Sequence, residues 1–179
     1  HTTFFINSLA HIWGSQPFTD RNSARDNGIL AFFTFGEGYH NFHHLFENDY
    51  RNGIRWWQFD PTKWLIRIAA WCGLARDLRS CPEERIEQAR LEMQLKRAQA
   101  RLHKQDDREL WQALLQEEYD KLSLQIQHYY ANRKQLLEQR KRKALARYDR
   151  LKLQLEYRNL RDGFLVAKRN WSRLLAGIA

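Results

Sequence analysis

The sequence predicts an all-α protein in two parts: an aromatic-rich head over residues 1–80 and a basic, coiled-coil-like helical tail over residues 81–179. Three observations predict it. Only 8 Gly and 3 Pro punctuate the 179 residues, too few turn formers for a sandwich or a barrel. Between Pro82 and Gly163 there is neither glycine nor proline, so nothing in that span interrupts a helix. Apolar residues in the same span recur at four- and three-residue spacing among Arg, Lys, Gln and Glu.

Composition sharpens the division near Ser80. The head holds 9 of the 10 Phe and 5 of the 7 Trp, with 8 Lys+Arg against 7 Asp+Glu. The tail therefore carries almost all of the net charge of +9. Two cysteines, Cys72 and Cys81, are too few for a disulfide framework or a thiolate zinc site. No run of 18 apolar residues occurs, so the chain by itself offers no ordinary membrane span. No signal-peptide pattern opens it. The chain starts at His1, its only methionine is Met93, and its opening reads as the interior of a folded unit. It is expected to be a piece of a longer chain.

In chain order, Asn7-Ser8-Leu9-Ala10-His11 comes first. Asn7 and His11 are one helical turn apart, so both side chains face one point. Alone, His11 reads as an ordinary core histidine. It gains meaning from the next element, Gly36-Glu37-Gly38-Tyr39-His40-Asn41-Phe42-His43-His44. His40, His43 and His44 stand at i, i+3 and i+4, so on a helix three imidazoles share a face. Such rings repel when protonated and are poorly satisfied when buried dry; a metal ion resolves both problems. Glu37, one turn ahead of His40, is the candidate carboxylate to orient its free nitrogen. A fortuitous surface cluster is the competing reading. Imidazole-rich ligation suits zinc, copper or non-haem iron, and spacing does not separate them. Phe32, Phe33 and Phe35, just before the box, either wall an apolar slot or pack in the core. The segment Lys63–Ala75 reads equally as a core helix or as one lying at a membrane surface, with Trp64 and Trp71 seven residues apart on one face.

The tail opens at Pro82, with Glu83 and Glu84 suited to a first helical turn. Leu91, Leu95, Ala98 and Leu102 form its first stripe, and the polar stretch His103–Glu109 reads as a bend or a gap. Leu122, Ile126 and Tyr129 continue the stripe, then Ala144, Tyr148, Leu151 and Leu155, with Gly163 as the expected stop. A hairpin and a single long coil both satisfy this pattern. The basic run Gln139–Lys143 is expected to be a solvated helix face rather than a nucleic-acid or anionic-lipid patch. His103 and His128 stand alone and read as surface residues.

Taken together, NSLAH, Trp13, Ser23-Ala24-Arg25-Asp26-Asn27, GEGYHNFHH, Asp49-Tyr50-Arg51-Asn52-Gly53 and the pair Trp56-Trp57 resemble the membrane fatty-acid desaturases. The likeness is greatest to bacterial acyl-CoA Δ9 (stearoyl-CoA type) members, and the tail from Pro82 begins like their helical extension. The resemblance implies that residues 1–80 are the C-terminal cytosolic part of a helical catalytic core, in which histidine boxes hold two Fe ions. That di-iron centre uses dioxygen to introduce a cis double bond into a saturated acyl chain. It further implies that His40, His43 and His44 are the third histidine box and ligate iron, that His11 is an extra ligand, and that Asn7 reaches an iron through water. Thr3 and Phe4 fall where members line the bend of the acyl tunnel, although Phe4 stands where animal enzymes have Trp. The implied partners are an acyl-CoA or fatty acyl substrate, a cytochrome b5 or ferredoxin type electron carrier with its reductase, and membrane lipid. The full-length protein is expected to be integral to the membrane, with these residues mostly cytoplasmic.

The family's first two boxes are missing: no HxxxxH occurs, and the one HxxHH, His40-Asn41-Phe42-His43-His44, is the third box. His1 has no box around it and is not counted as a ligand. The chain alone is therefore expected to be inactive. Two other functions compete: a related membrane di-iron lipid hydroxylase, and a non-catalytic interaction protein built on a self-associating coil with a decayed metal box.

Overall fold

The computed structural model describes residues 8–102, 107–142 and 147–178, the side chains of 139–142 and 147–150 excepted. Thr3, Phe4, Asn7, His103, the side chains of Gln139–Lys143, Ala144 and the Tyr148 side chain lie outside the described residues. The secondary structure among those described is helical without a strand, as the sequence predicts. Residues 8–12 are helical (α1), followed by α2 (Gly28–Phe33), α3 (His40–Leu45), α4 (Pro61–Trp71), α5 (Glu83–Arg101), α6 (Arg108–Arg142) and α7 (Arg147–Ile178). No helix among the described residues is long and apolar enough to cross a membrane.

The chain forms two compact units, His1–Met93 and Gln94–Ala179. In the first, Phe18, Phe42, Phe46 and Ile86 make the core, with Leu45, Ile54, Cys81 and Ala89 packed against it. The rings of Phe18 and Phe42 meet edge-on at 5.4 Å, and the Arg90 guanidinium sits 4.9 Å from the Phe18 centroid. Helix starts follow local chemistry. The Asn27 side chain accepts from the N–H groups of Ile29 and Leu30 to open α2. Asp60 caps α4 through the Lys63 N–H, with Pro61 at the first helical position. The Pro82 carbonyl takes the first bond of α5, from Ile86 N–H, which puts Pro82 just before the helix and Glu83 and Glu84 in its first turn.

Helix α4 resolves the two readings of Lys63–Ala75 against a core helix. Lys63 is its one buried residue, its Nζ donating to the carbonyls of Gly53 (2.7 Å), Arg55 (3.0 Å) and Gln58 (3.4 Å). Leu65, Ile68, Trp71 and Leu74 are exposed, Trp71 at 89%. Trp64 leans on Phe59, ring centroids 5.7 Å apart, and is itself 39% exposed. A lysine anchored by three carbonyls holds the helix by its polar side and leaves the apolar side facing out.

In the second unit α6 and α7 run antiparallel: Gln125 lies opposite Gly163, and Tyr129 stacks on Phe164 at 5.1 Å and on Tyr157 at 5.6 Å. The two tyrosine hydroxyls are 3.1 Å apart. The structure thus chooses the hairpin. Leu115, Leu122 and Ile126 from α6 and Phe164, Ala167, Trp171 and Ile178 from α7 are buried, and Trp171 Nε1 donates to Gln94 Oε1 at 2.8 Å.

Two expectations for the tail are overturned. Leu151 and Leu155 are exposed, because the buried stripe of α7 is set by Phe164, Ala167 and Trp171 and extends back through half-buried Leu160, Tyr157 and Leu153. Four-three spacing fits both registers; the larger aromatic area decides between them. Gly163 does not end a segment but sits inside α7. Its intrinsic cost of about 1 kcal/mol is outweighed by the burial of nearby Phe164 and Ala167.

Candidate metal centre

The histidine helix α3 has only six residues and draws its rigidity from elsewhere in the chain. Asp26 Oδ1 accepts from the N–H groups of Asn41 (2.8 Å) and Phe42 (3.1 Å), satisfying donors that a helix start leaves open. The side chain of Asn41, wholly buried, accepts from Phe18 N–H (2.9 Å) and Thr19 N–H (3.3 Å). It donates to the carbonyls of Thr19 (2.7 Å) and Ala24 (2.9 Å). Phe42 points into the aromatic core, which turns His40 and His44 the other way.

There they meet His11 from α1. One ring nitrogen from each of His11, His40 and His44 lies within 4.8 Å of the others. The His40 and His44 rings are 4.4 Å apart, centroid to centroid, with Nε2 to Nε2 at 3.0 Å. His11 stands edge-on to His40 at 5.0 Å. His43 is not in this trio; its ring stacks on His40 at 6.4 Å. The Nδ1 atoms of His40 and His43 are buried without a hydrogen-bond partner. Of the four histidines expected at the site, the structure brings ring nitrogens of His11, His40 and His44 together, and His43 stands beside them against His40.

Burial, with the neighbouring His44, His11 and His43 adding to it, pushes His40 down to about 4, and burial lowers His44 too. His40 is therefore a neutral ring at neutral pH, with one nitrogen lone pair available to ligate. Burial raises Asp26 to about 6, against the pull of its two backbone N–H partners. Three close imidazole nitrogens, with one ring kept neutral, suit a bound cation: this donor set fits a transition metal.

Glu37 does not orient His40. Its carboxylate accepts from Asn52 Nδ2 at 3.0 Å, because the backbone turns at Gly36 (φ +107°) and the helix starts only at His40. A turn of helix between Glu37 and His40 does not exist. Phe32, Phe33 and Phe35 are exposed, which rules out the core-packing reading, with Phe32 touching Phe33 and Phe59. His128 is exposed, as expected. Ser23, Asp26 and Asn41 are the positions that motif reading passed over as structure-bearing. The signal was there in residue type, since Ser, Asp and Asn are the side chains that bind backbone and ring nitrogens at helix starts.

Comparison with known proteins meets this geometry on the same residues. The family described as Fatty acid desaturase matches residues 1–70. The chain is 55% identical over 95 residues to Acyl-CoA desaturase 1 of Saccharomyces cerevisiae, covering 53% of this chain and 19% of that protein. It is 58% identical over 87 residues to a probable acyl-CoA desaturase of Schizosaccharomyces pombe, covering 49% and 18%. To the Delta-9 desaturase-like 5 protein of Arabidopsis thaliana it is 44% identical over 79 residues, covering 44% and 26%. The chain thus spans about a fifth to a quarter of the length of these relatives. They are fungal and plant proteins, which corrects the expected bacterial affinity. Residues 1–70, which the Fatty acid desaturase family model matches, are the part of the chain that holds His11, His40, His43 and His44.

Proposed function

We propose that the whole protein is an oxygen-dependent acyl-CoA desaturase, and that this chain supplies part of the histidine shell of its di-iron centre. The observation that carries the reading is the meeting of His11 with His40 and His44, from separate helices, inside the segment related to desaturases. When bound, the two irons and dioxygen supply an oxidant able to take two hydrogens from an unactivated acyl chain, leaving a cis double bond. In this reading His11, His40 and His44 hold one ion. His43, with its buried unpartnered Nδ1, serves the second, and Asn7 acts through water. Asp26 and Asn41 hold the helix from which three of these rings project. The exposed aromatic rings of Phe32, Phe33 and Phe35 would wall off water once the remainder of the catalytic core is in place, and Thr3 and Phe4 would shape the acyl tunnel. The acyl substrate, a cytochrome b5 or ferredoxin type donor with its reductase, and a membrane location belong to the whole protein.

The site itself is tested in the full-length protein. His44→Ala removes a ligand rather than a packing group, so iron measured by elemental analysis should fall; unchanged iron would overturn the assignment. Product analysis of cells expressing the full chain then separates an alkene-forming desaturase from an alcohol-forming hydroxylase. The 179 residues alone lack the two upstream boxes and should show no acyl desaturation. Turnover above that of a His40→Ala control would refute this.

A further inference from the structure

Among the described residues, His11 is the ring of the trio that a side chain from another segment hydrogen-bonds. Its Nδ1 lies 2.8 Å from Ser23 Oγ, across twelve residues of chain. Ser23 opens a short stretch that ties α1 to the histidine helix. Arg25 N–H donates to the Ala10 carbonyl at 2.8 Å, beside His11. The Ala24 carbonyl accepts from Asn41 Nδ2, and Asp26 caps α3. The backbone that presents the Ser23 hydroxyl is thereby fixed at one end to the helix of His11 and at the other to the helix of His40 and His44. His11 is half-buried and its ring meets those of His40 and His44 edge-on, at 5.0 and 5.7 Å. With Nδ1 held by a hydroxyl, Nε2 is the nitrogen left for the shared point.

We propose that Ser23 is a positioning residue for the metal site: its hydroxyl accepts from His11 Nδ1–H, selects that tautomer and aims the Nε2 lone pair at the point shared with His40 and His44. A hydrogen bond on the non-ligating nitrogen fixes both ring rotation and tautomer, and loss of such a partner typically weakens metal binding 10- to 100-fold. A serine does this without adding charge beside the ion. The inference rests on the reading that the trio holds a metal, and one half of its test is independent of that.

In the metal-free 179-residue chain, nitrogen NMR of the histidine rings should find His11 with its proton on Nδ1. Ser23→Ala should move it towards Nε2, and Ser23→Thr, which keeps the hydroxyl, should restore it. An unchanged His11 tautomer in Ser23→Ala would overturn the proposal. The second half titrates Co²⁺ alone, followed by its visible absorption. Ser23→Ala should bind at least about tenfold more weakly than the parent, with Ser23→Thr near the parent. If His44→Ala loses Co²⁺ binding while Ser23→Ala keeps it in full, the Ser23 role is wrong and the metal site stands. If His44→Ala binds as the parent does, the metal reading fails and the proposal with it.

Discussion

At the scale of single residues, burial and neighbouring imidazoles together keep a candidate ligand neutral. His40 loses its tendency to protonate because its ring is withdrawn from water and faces other imidazoles. A base with a lowered folded pKa contributes stability above its unfolded value, near 6.5, and loses it as pH falls towards about 4. Asp26 works in the opposite sense. Its carboxyl is raised from 3.8 to about 6, so its protonated form favours the folded state and stability from this group grows as pH falls through that window. The two opposing contributions are separable. Asp26→Asn keeps a side-chain oxygen for the N–H groups of Asn41 and Phe42 but cannot titrate. Its stability, read from urea unfolding of the metal-free chain at a series of pH values, should fall more steeply between pH 6.5 and 4 than the parent's. Parallel curves would show that Asp26 does not titrate in that range.

At the scale of elements, two glycines carry opposite expectations for the same substitution. A Cβ on Gly38 would stand 2.1 Å from the Ala31 backbone nitrogen and 2.6 Å from both Ala31 Cα and the Asn27 carbonyl oxygen. All are backbone atoms of the α2 region, so nothing soft can yield. Gly38→Ala should therefore cost about 3 kcal/mol or more in denaturant unfolding, by forcing α2 away from the entry to α3. Gly163 lies inside α7, where an added Cβ meets only the Gln125 Oε1 at 3.9 Å. Gly163→Ala should stabilise the hairpin by about 0.5–1 kcal/mol through lost unfolded-state entropy and better helix propensity. A loss of stability there would mean that the α6–α7 packing at Gln125 is tighter than described.

At the scale of the molecule, composition and space divide the chain at different places. Composition shifts near Ser80, whereas the compact units part between Met93 and Gln94, within α5. The residues between matter. Ile86 is 3% exposed and completes the core of Phe18, Phe42 and Phe46, and Arg90 covers Phe18. Cys81 N–H donates to Asp49, whose carboxylate also pairs with Arg51 at 2.7 Å. Truncating the full-length protein after Met93 should leave iron content unchanged, while truncation after Ser80 should lower it by unseating Phe42 and the helix it anchors. Equal iron in both truncations would show that Ile86 and Arg90 are dispensable to the site.

Helicity, the basic tail and a cluster of imidazoles could be read from the chain because each depends on local spacing: i, i+3, i+4 repeats, an absence of breakers, a charge count. The choice of hairpin over rod, and of the Phe164–Trp171 stripe over Leu151 and Leu155, needed the partner helix, since four-three periodicity is satisfied by either register. The make-up of the trio was likewise a tertiary matter. His11 meets His40 and His44, and Glu37 binds Asn52 instead of His40, because the path from Gly14 to Tyr39 brings α1 beside α3 and turns Glu37 away. The amino-acid order determined which side chains were chemically able to bind a metal; only the long-range hydrogen bonds of Asp26 and Asn41 decided which of them meet, because convergence of rings from different helices is set by backbone anchored far away in sequence.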